Sequence, residues 1–167
     1  MRERTTTGVF VLLLACSVGL VLLISGEGTT AAAQAAKPAE PLQVQETNQA
    51  GLVAEFTECK RKEGVLTIKV RLRNTSAQDV GVYVVSSRNY DDFYVMAAGK
   101  KYFVLQDSEK TPLAVAASGG GSVYASISKG GTWTWWAKYP APPASVKKVN
   151  YIWPLGAPFE DIPVTDQ

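Results

Sequence analysis

The chain has no histidine among its 167 residues. Without an imidazole, nucleophilic mechanisms of the Ser-His-Asp and Cys-His types are excluded, and a metal site would lack its most adaptable nitrogen ligand. A carboxylate pair is the remaining route to hydrolysis. Asp91 with Asp92 and Asp107 with Glu109 are the tight pairs, but both lie in predicted turns and neither has the spacing of a calcium loop. We therefore expect a non-enzymatic protein without a cofactor or metal.

Cysteine is nearly absent, and neither sign of charge is in excess. Of the two cysteines, only Cys59 lies outside the N-terminal apolar segment, so an intrachain disulfide in the remaining chain is excluded. We expect Cys59 to be a buried thiol that packs as an apolar residue. Lysine and arginine number 17 against 15 aspartates and glutamates, a balance that gives no reason to expect nucleic acid as a partner.

The N-terminus has the order of a targeting signal. Arg2 and Arg4 precede an apolar run from Val9 to Ile24, and small residues suited to signal peptidase follow at Ala31-Ala32-Ala33. The run also approaches the length of a short spanning helix. Residues 1–26 therefore predict a signal peptide or an N-terminal membrane anchor. We expect the protein outside the cytoplasm, as a secreted, periplasmic or envelope-associated chain.

Two further features of the N-terminal part bear on attachment. Leu13-Leu14-Ala15-Cys16 resembles a lipobox, in which Cys16 would be lipidated, but apolar residues rather than a polar tether follow it. Residues 27–50 are rich in Ala, Gln, Thr and Pro and lack aromatic residues and apolar periodicity. We expect these residues to form a disordered tether ahead of a single domain over residues 51–167.

The remaining chain shows strand patterns. The clearest is Leu66 to Arg73, where apolar and polar residues alternate, preceded by a Lys62-Glu63-Gly64 turn and a strand around Leu52 to Lys60. These segments predict a hairpin. Further strands are predicted at residues 80–85, 93–96, 101–105, 113–116, 122–128, 132–138, 146–153 and 159–164. Short strands at this spacing, with no helical periodicity, predict an all-β antiparallel sandwich of about eight or nine strands.

Several segments resemble a known bacterial family. They include Leu66 to Asn74, Lys101-Tyr102-Phe103-Val104-Leu105, Trp136-Ala137-Lys138-Tyr139-Pro140 and Pro158-Phe159-Glu160-Asp161-Ile162. The family consists of exported immunoglobulin-like domains of largely unknown function, found alone or beside peptidoglycan-binding modules of the outer-membrane-protein-A type. The resemblance covers residues 52–165 and implies an immunoglobulin-like fold in the cell envelope. It implies no activity, because the shared motifs are structural.

Two surfaces are candidate contact sites. Trp133, Trp135 and Tyr139 share one face of a predicted strand, and Trp136 points to the other. Because burial of a tryptophan is strongly favourable, we expect most of these tryptophans, Trp136 among them, in the core. The alternative is that Trp133 and Trp135, with Tyr139, form a surface patch for a glycan or protein. Lys69, Arg71 and Arg73 would form a basic exposed face, continued by Lys60-Arg61-Lys62 on the neighbouring strand. Such a face is ordinarily solvated and would bias the domain only weakly toward an anionic membrane.

Three functions follow from these observations. The first is an envelope domain that binds or scaffolds another envelope protein through sandwich edges or end loops. The second is a carbohydrate-binding module that presents Trp133 and Trp135 to cell-wall glycans. The third is a small hydrolase that uses Asp107 and Glu109. The sequence leaves the identity of the partner and the oligomeric state open.

Overall fold

The computed structural model describes residues 40–167, and these residues are all-β. Eleven strands follow one another along the chain, and no helix is present in this part. Their bounds are β1 Gln43–Glu46, β2 Leu52–Lys62, β3 Val65–Asn74, β4 Val80–Val85, β5 Tyr94–Ala97, β6 Lys100–Phe103, β7 Val123–Ile127, β8 Thr132–Pro140, β9 Lys148–Ile152, β10 Phe159–Pro163 and β11 Thr165–Asp166.

The strands form three sheets. The largest has the order β1-β2-β3-β8, and the short C-terminal strand β11 pairs in parallel with the end of β2. A second sheet has the order β10-β9-β5-β6, and β4 pairs with β7 in a two-stranded ribbon. All pairings other than that of β11 are antiparallel. The predicted all-β class is therefore confirmed.

The predicted hairpin is β2 and β3, joined by a two-residue turn. Lys62 pairs with Val65, which leaves Glu63 and Gly64 as the turn, with φ angles of 50° and 80°. Two successive positive φ angles define the type I′ turn, whose twist matches that of the flanking strands. Glycine adopts the second of these positions without a steric penalty. The turn chemistry thus sets the register of the longest strand pair in the molecule.

The core is built from the inward faces of these strands. Along β3, Leu66, Ile68, Val70 and Leu72 are fully buried, while the polar residues between them face outward. This is the predicted period-two alternation, and each such aliphatic side chain contributes roughly 2 kcal/mol on burial, as an upper estimate. Buried side chains from all three sheets belong to one apolar cluster. Cys59 lies in that cluster, so the expectation of a buried thiol is confirmed.

Two predictions of local structure were wrong. Residues 43–46, expected within the tether, form β1, which pairs with β2 over four residues and turns Gln43 and Gln45 inward while Val44 is exposed. Backbone pairing with β2, and not an apolar face, therefore holds this strand in place. Its sequence consequently has no apolar pattern that could have predicted it. Residues 113–116, expected as a strand, make only an isolated bridge from Ala114 to Ala137. The expected signal or anchor, Cys16 and residues 27–39 of the tether lie outside the described residues.

Candidate functional site

The aromatic run on β8 does not form the predicted patch. Trp135 and Tyr139 are fully buried, and Trp133 is partly buried against the same core. Trp136, expected in the core, is 38% exposed. The strand parity was right and Trp135 is in the core, but the expectation of a core position for Trp136 was wrong. The register with β3 determines which face of β8 is buried. Trp135 pairs with Val70 and therefore points to the side that the β3 aliphatic residues occupy.

A hydrogen-bonded aromatic group surrounds the buried tryptophan. Trp135 Nε1 donates to the Tyr151 hydroxyl at 2.8 Å, and the Tyr139 and Tyr151 hydroxyl oxygens lie 3.2 Å apart. The Phe93 ring stacks on Trp135 with centroids 4.3 Å apart. Burial raises the pKa of both Tyr139 and Tyr151 well above the ordinary value for tyrosine, so both hydroxyls stay protonated. This group is part of the core and offers no surface to a ligand.

The basic face exists, but acids on the neighbouring strand neutralise it. Arg71 Nε and Arg73 Nε each lie 2.6 Å from a carboxylate oxygen of Glu55, and Lys69 Nζ lies 3.2 Å from Glu58. Burial alone would raise the pKa of Glu55, but hydrogen bonds from Arg73 and Arg71 and their charges more than offset it and lower that pKa overall. A membrane or an anionic polymer would therefore meet a paired rather than a free basic stripe.

A β-bulge explains why the two acids share one face. The β2–β3 register shifts between Phe56 and Glu58, so that Thr57 is an extra residue in β2. In a regular strand, residues three apart point to opposite faces. The extra residue brings both Glu55 and Glu58 to the outer face, opposite Arg71 and Lys69. Nothing in the sequence around Thr57 predicts the bulge, so the pairing of these two acids with the basic face was missed.

The carboxylate pairs considered for hydrolysis form turns. Asp107 Oδ1 accepts hydrogen bonds from the backbone N–H groups of Glu109 and Thr111, at 2.9 and 2.8 Å. Asp92 Oδ2 accepts a hydrogen bond from the Asn89 side-chain amide at 2.9 Å. Within residues 40–167, no group of three or more Cys, Asp or Glu side chains is placed to hold a metal ion. These contacts are those of ordinary turn-forming residues.

A pair of exposed tyrosines lies on the β4–β7 ribbon. Tyr83 pairs with Tyr124 across the ribbon, and their ring centroids are 4.9 Å apart, with 62% and 53% of the two residues exposed. Gly81 makes room for this arrangement, because a Cβ at that position would overlap the Tyr124 ring. Both tyrosines lie in predicted strands, where alternation with buried valine and alanine could have identified them as outward-facing.

An open groove of about 460 Å³ lies beside the same ribbon. The turn after β4 and the loop between β6 and β7 form its walls. Its lining residues are Arg88, Tyr90, Gln106, Glu109, Lys110, Thr111, Pro112, Ala116 and Ala117. Sequence reasoning identified only Glu109 among these, as a hydrolase candidate. The others were missed because they lie in two segments that only the fold brings together.

The described residues include no helix long and apolar enough to cross a membrane. Comparison with protein-family models, with curated proteins and with solved structures finds no match to this chain.

Proposed function

We propose that this chain is an exported immunoglobulin-like β-sandwich of the cell envelope and that it acts by binding another envelope protein. Two observations support a binding role rather than catalysis: the sequence has no histidine, and the carboxylates of Asp92 and Asp107 accept hydrogen bonds within their own turns. The sandwich is supported by the two larger sheets, which contribute to one shared apolar cluster. The N-terminal Arg2, Arg4 and Val9 to Ile24 pattern supports export.

The Tyr83–Tyr124 pair is the observation that carries the proposal. Tyrosine is enriched where proteins bind one another, since it offers a large rigid ring and a polar tip at low entropic cost. Here two such rings lie side by side on the outer face of a narrow ribbon. Neither hydroxyl has a hydrogen-bond partner among residues 40–167. Both rings and both hydroxyls are thus available to a partner.

The inclination of the rings favours a protein over a glycan. The two ring planes meet at 56°, so the pair does not form one flat platform on which successive sugar rings could stack. An inclined pair instead presents ring faces and edges in different directions, and the side chains of a protein can pack against these. The buried positions of Trp135 and Tyr139 also remove the platform on which the glycan-binding alternative was based.

A site-specific photocrosslinking experiment in the producing cells tests this proposal. A photoreactive residue replaces Tyr83, and a matched control places it at Glu63, which is exposed in the β2–β3 turn. We expect one discrete protein adduct from position 83 in the envelope fraction, none from position 63, and loss of the adduct in a Tyr124→Ser background.

Two results would contradict the proposal. One is equal crosslinking from both positions, or none from position 83. The other is an adduct whose crosslinked partner is removed by glycan-degrading enzymes but not by proteases. Such an adduct would instead support the carbohydrate-binding module. Sequencing the N-terminus of the native protein and measuring its mass separately tests export, since these data distinguish the cleaved, anchored and lipidated forms.

A further inference from the structure

We propose that the groove beside the β4–β7 ribbon binds a small organic carboxylate, with Arg88 and Lys110 holding the anionic group. The site is separate from the Tyr83–Tyr124 pair and does not depend on the protein partner proposed above. It rests on two cations without acidic partners, on the way the backbone holds them, and on the charge and shape of the groove lining.

Arg88 is held in place but its charge is unpaired. Its backbone N–H donates to the Gly121 carbonyl at 2.6 Å, and its side-chain stem packs on Gly121, where an added Cβ would lie 2.9 Å from Arg88 Cγ. The guanidinium makes no ion pair or hydrogen bond within residues 40–167. A guanidinium presents a planar set of N–H donors that matches a carboxylate in a two-point contact.

Lys110 is held by a tight loop between β6 and β7, which forms part of the groove lining. Asp107 organises this loop by accepting hydrogen bonds from Glu109 and Thr111, and the Lys110 N–H donates to the Asp107 carbonyl at 3.1 Å. The Lys110 ammonium has no acidic partner in the described part of the chain. Two cations that remain unpaired in one groove create a positive local potential that favours an anion.

Both cations lie at strained positions. Arg88 has a φ of 57° and Lys110 a φ of 63°, which place both in the left-handed region. For a residue with a Cβ this conformation costs roughly 1–2 kcal/mol. Four other non-glycine residues within residues 40–167 share this conformation, so the angle alone marks no site; it shows that surrounding structure holds the backbone. Here the bonds to Gly121 and Asp107 supply that structure.

The lining favours a singly charged anion with an apolar body. Arg88 and Lys110 are opposed by the one acid Glu109, so the lining has a formal charge of one positive unit and matches a carboxylate better than a doubly charged phosphate. The rest of the wall includes Tyr90, Pro112, Ala116 and Ala117. The Tyr90 hydroxyl is already engaged, since it donates to the Val115 carbonyl at 2.8 Å. A volume of about 460 Å³ suits a small molecule.

Titration of the ¹⁵N-labelled full chain tests the inference, with the Arg88 Nε–H signal and the Lys110 amide signal followed by NMR. The probes are benzoate, the neutral isostere benzamide and inorganic phosphate. We expect benzoate to shift both signals saturably, benzamide to leave them in place, and phosphate to bind more weakly than benzoate. Equal shifts with benzamide, a preference for phosphate, or a linear response to benzoate would each overturn the proposal.

Charge variants locate the site. Arg88→Gln and Lys110→Gln should each weaken benzoate binding about tenfold or more, as expected for the loss of a charge-assisted hydrogen bond. Lys100→Gln is the matched control, since Lys100 is an exposed cation on β6 outside the groove, and it should leave binding unchanged. All three positions are exposed, so unfolding midpoints should stay close to that of the parent protein. Equal loss of binding in the control variant would contradict the assignment.

Discussion

The Arg61 guanidinium links β2 to the C-terminal strand β11, with its Nε 2.6 Å from Asp166 Oδ1 across 105 residues of sequence. Its Nη1 donates to the carbonyls of Pro142, Pro143 and Val146, and its Nη2 donates to that of Ala144. Arg61 is buried, although its place between Lys60 and Lys62 predicted a position on the basic surface. Arg61 therefore holds the proline-rich loop after β8 against β2 and β11 through these hydrogen bonds.

Replacing Arg61 should destabilise the domain strongly. Arg61→Gln leaves several carbonyls of the proline-rich loop without their donor, and we expect a loss of about 3 kcal/mol in the free energy of unfolding. Urea unfolding followed by tryptophan emission measures this loss. Lys62→Gln, an exposed neighbour on the same strand, is the control and should change stability by less than about 0.5 kcal/mol. Equal stability of the two variants would show that the Arg61 contacts contribute nothing.

The buried hydroxyl of Tyr151 should matter more than that of an exposed tyrosine. Tyr151→Phe removes the acceptor of the Trp135 Nε1–H bond and leaves that donor unpaired in the core, at a cost of about 1–3 kcal/mol. The paired control is Tyr83→Phe, whose hydroxyl is exposed, and it should be nearly neutral. Denaturant unfolding measures the free energy of unfolding of both variants. A shift in Trp135 emission should accompany only Tyr151→Phe. A neutral Tyr151→Phe would contradict the role assigned to this bond.

Acid should weaken the domain through Glu55. The folded pKa of this carboxyl lies below its ordinary value of 4.5, so the ionised, paired form stabilises the fold fully above that value. This stabilisation is lost as the pH falls below 4.5 and through the lower folded pKa. Unfolding free energies measured from neutral pH into this acid range should show the decline. Glu55→Gln should lower stability by about 1 kcal/mol at neutral pH and make the decline shallower. An unchanged slope would assign the acid sensitivity to other groups.

The Cys59 thiol should be inert in the folded domain. Burial raises its pKa to about 12; the nearby Arg61 charge opposes this rise and the Glu58 charge adds to it. In a Cys16→Ser background, we expect a thiol reagent at pH 8 to react with Cys59 only after urea unfolding. Lys62→Cys places a second thiol at an exposed position on the same strand and should react at once in the folded state. Rapid labelling of Cys59 itself would contradict its burial.

Local chemistry made several features of the fold predictable. Alternation from Leu66 to Arg73 identified a strand with one buried face, and Lys62-Glu63-Gly64 identified the turn before it. Most remaining strands were also located, to within a few residues, from Val, Tyr and Phe segments separated by turn signals. These are short-range properties, because the two-residue period of a strand and the φ preferences of a turn depend only on neighbouring residues.

The long-range features depended on pairing partners. Opposite faces of β8 were both rich in aromatic residues, and only its register with β3 decided that Trp135 is buried and Trp136 exposed. The bulge at Thr57 brought Glu55 to the basic face, and contacts with residues over 80 positions away turned Arg61 inward. In each case alternative placements satisfy the local pattern equally well. Burial free energy and hydrogen bonding between distant segments select among them, and these arise only when the sheets assemble.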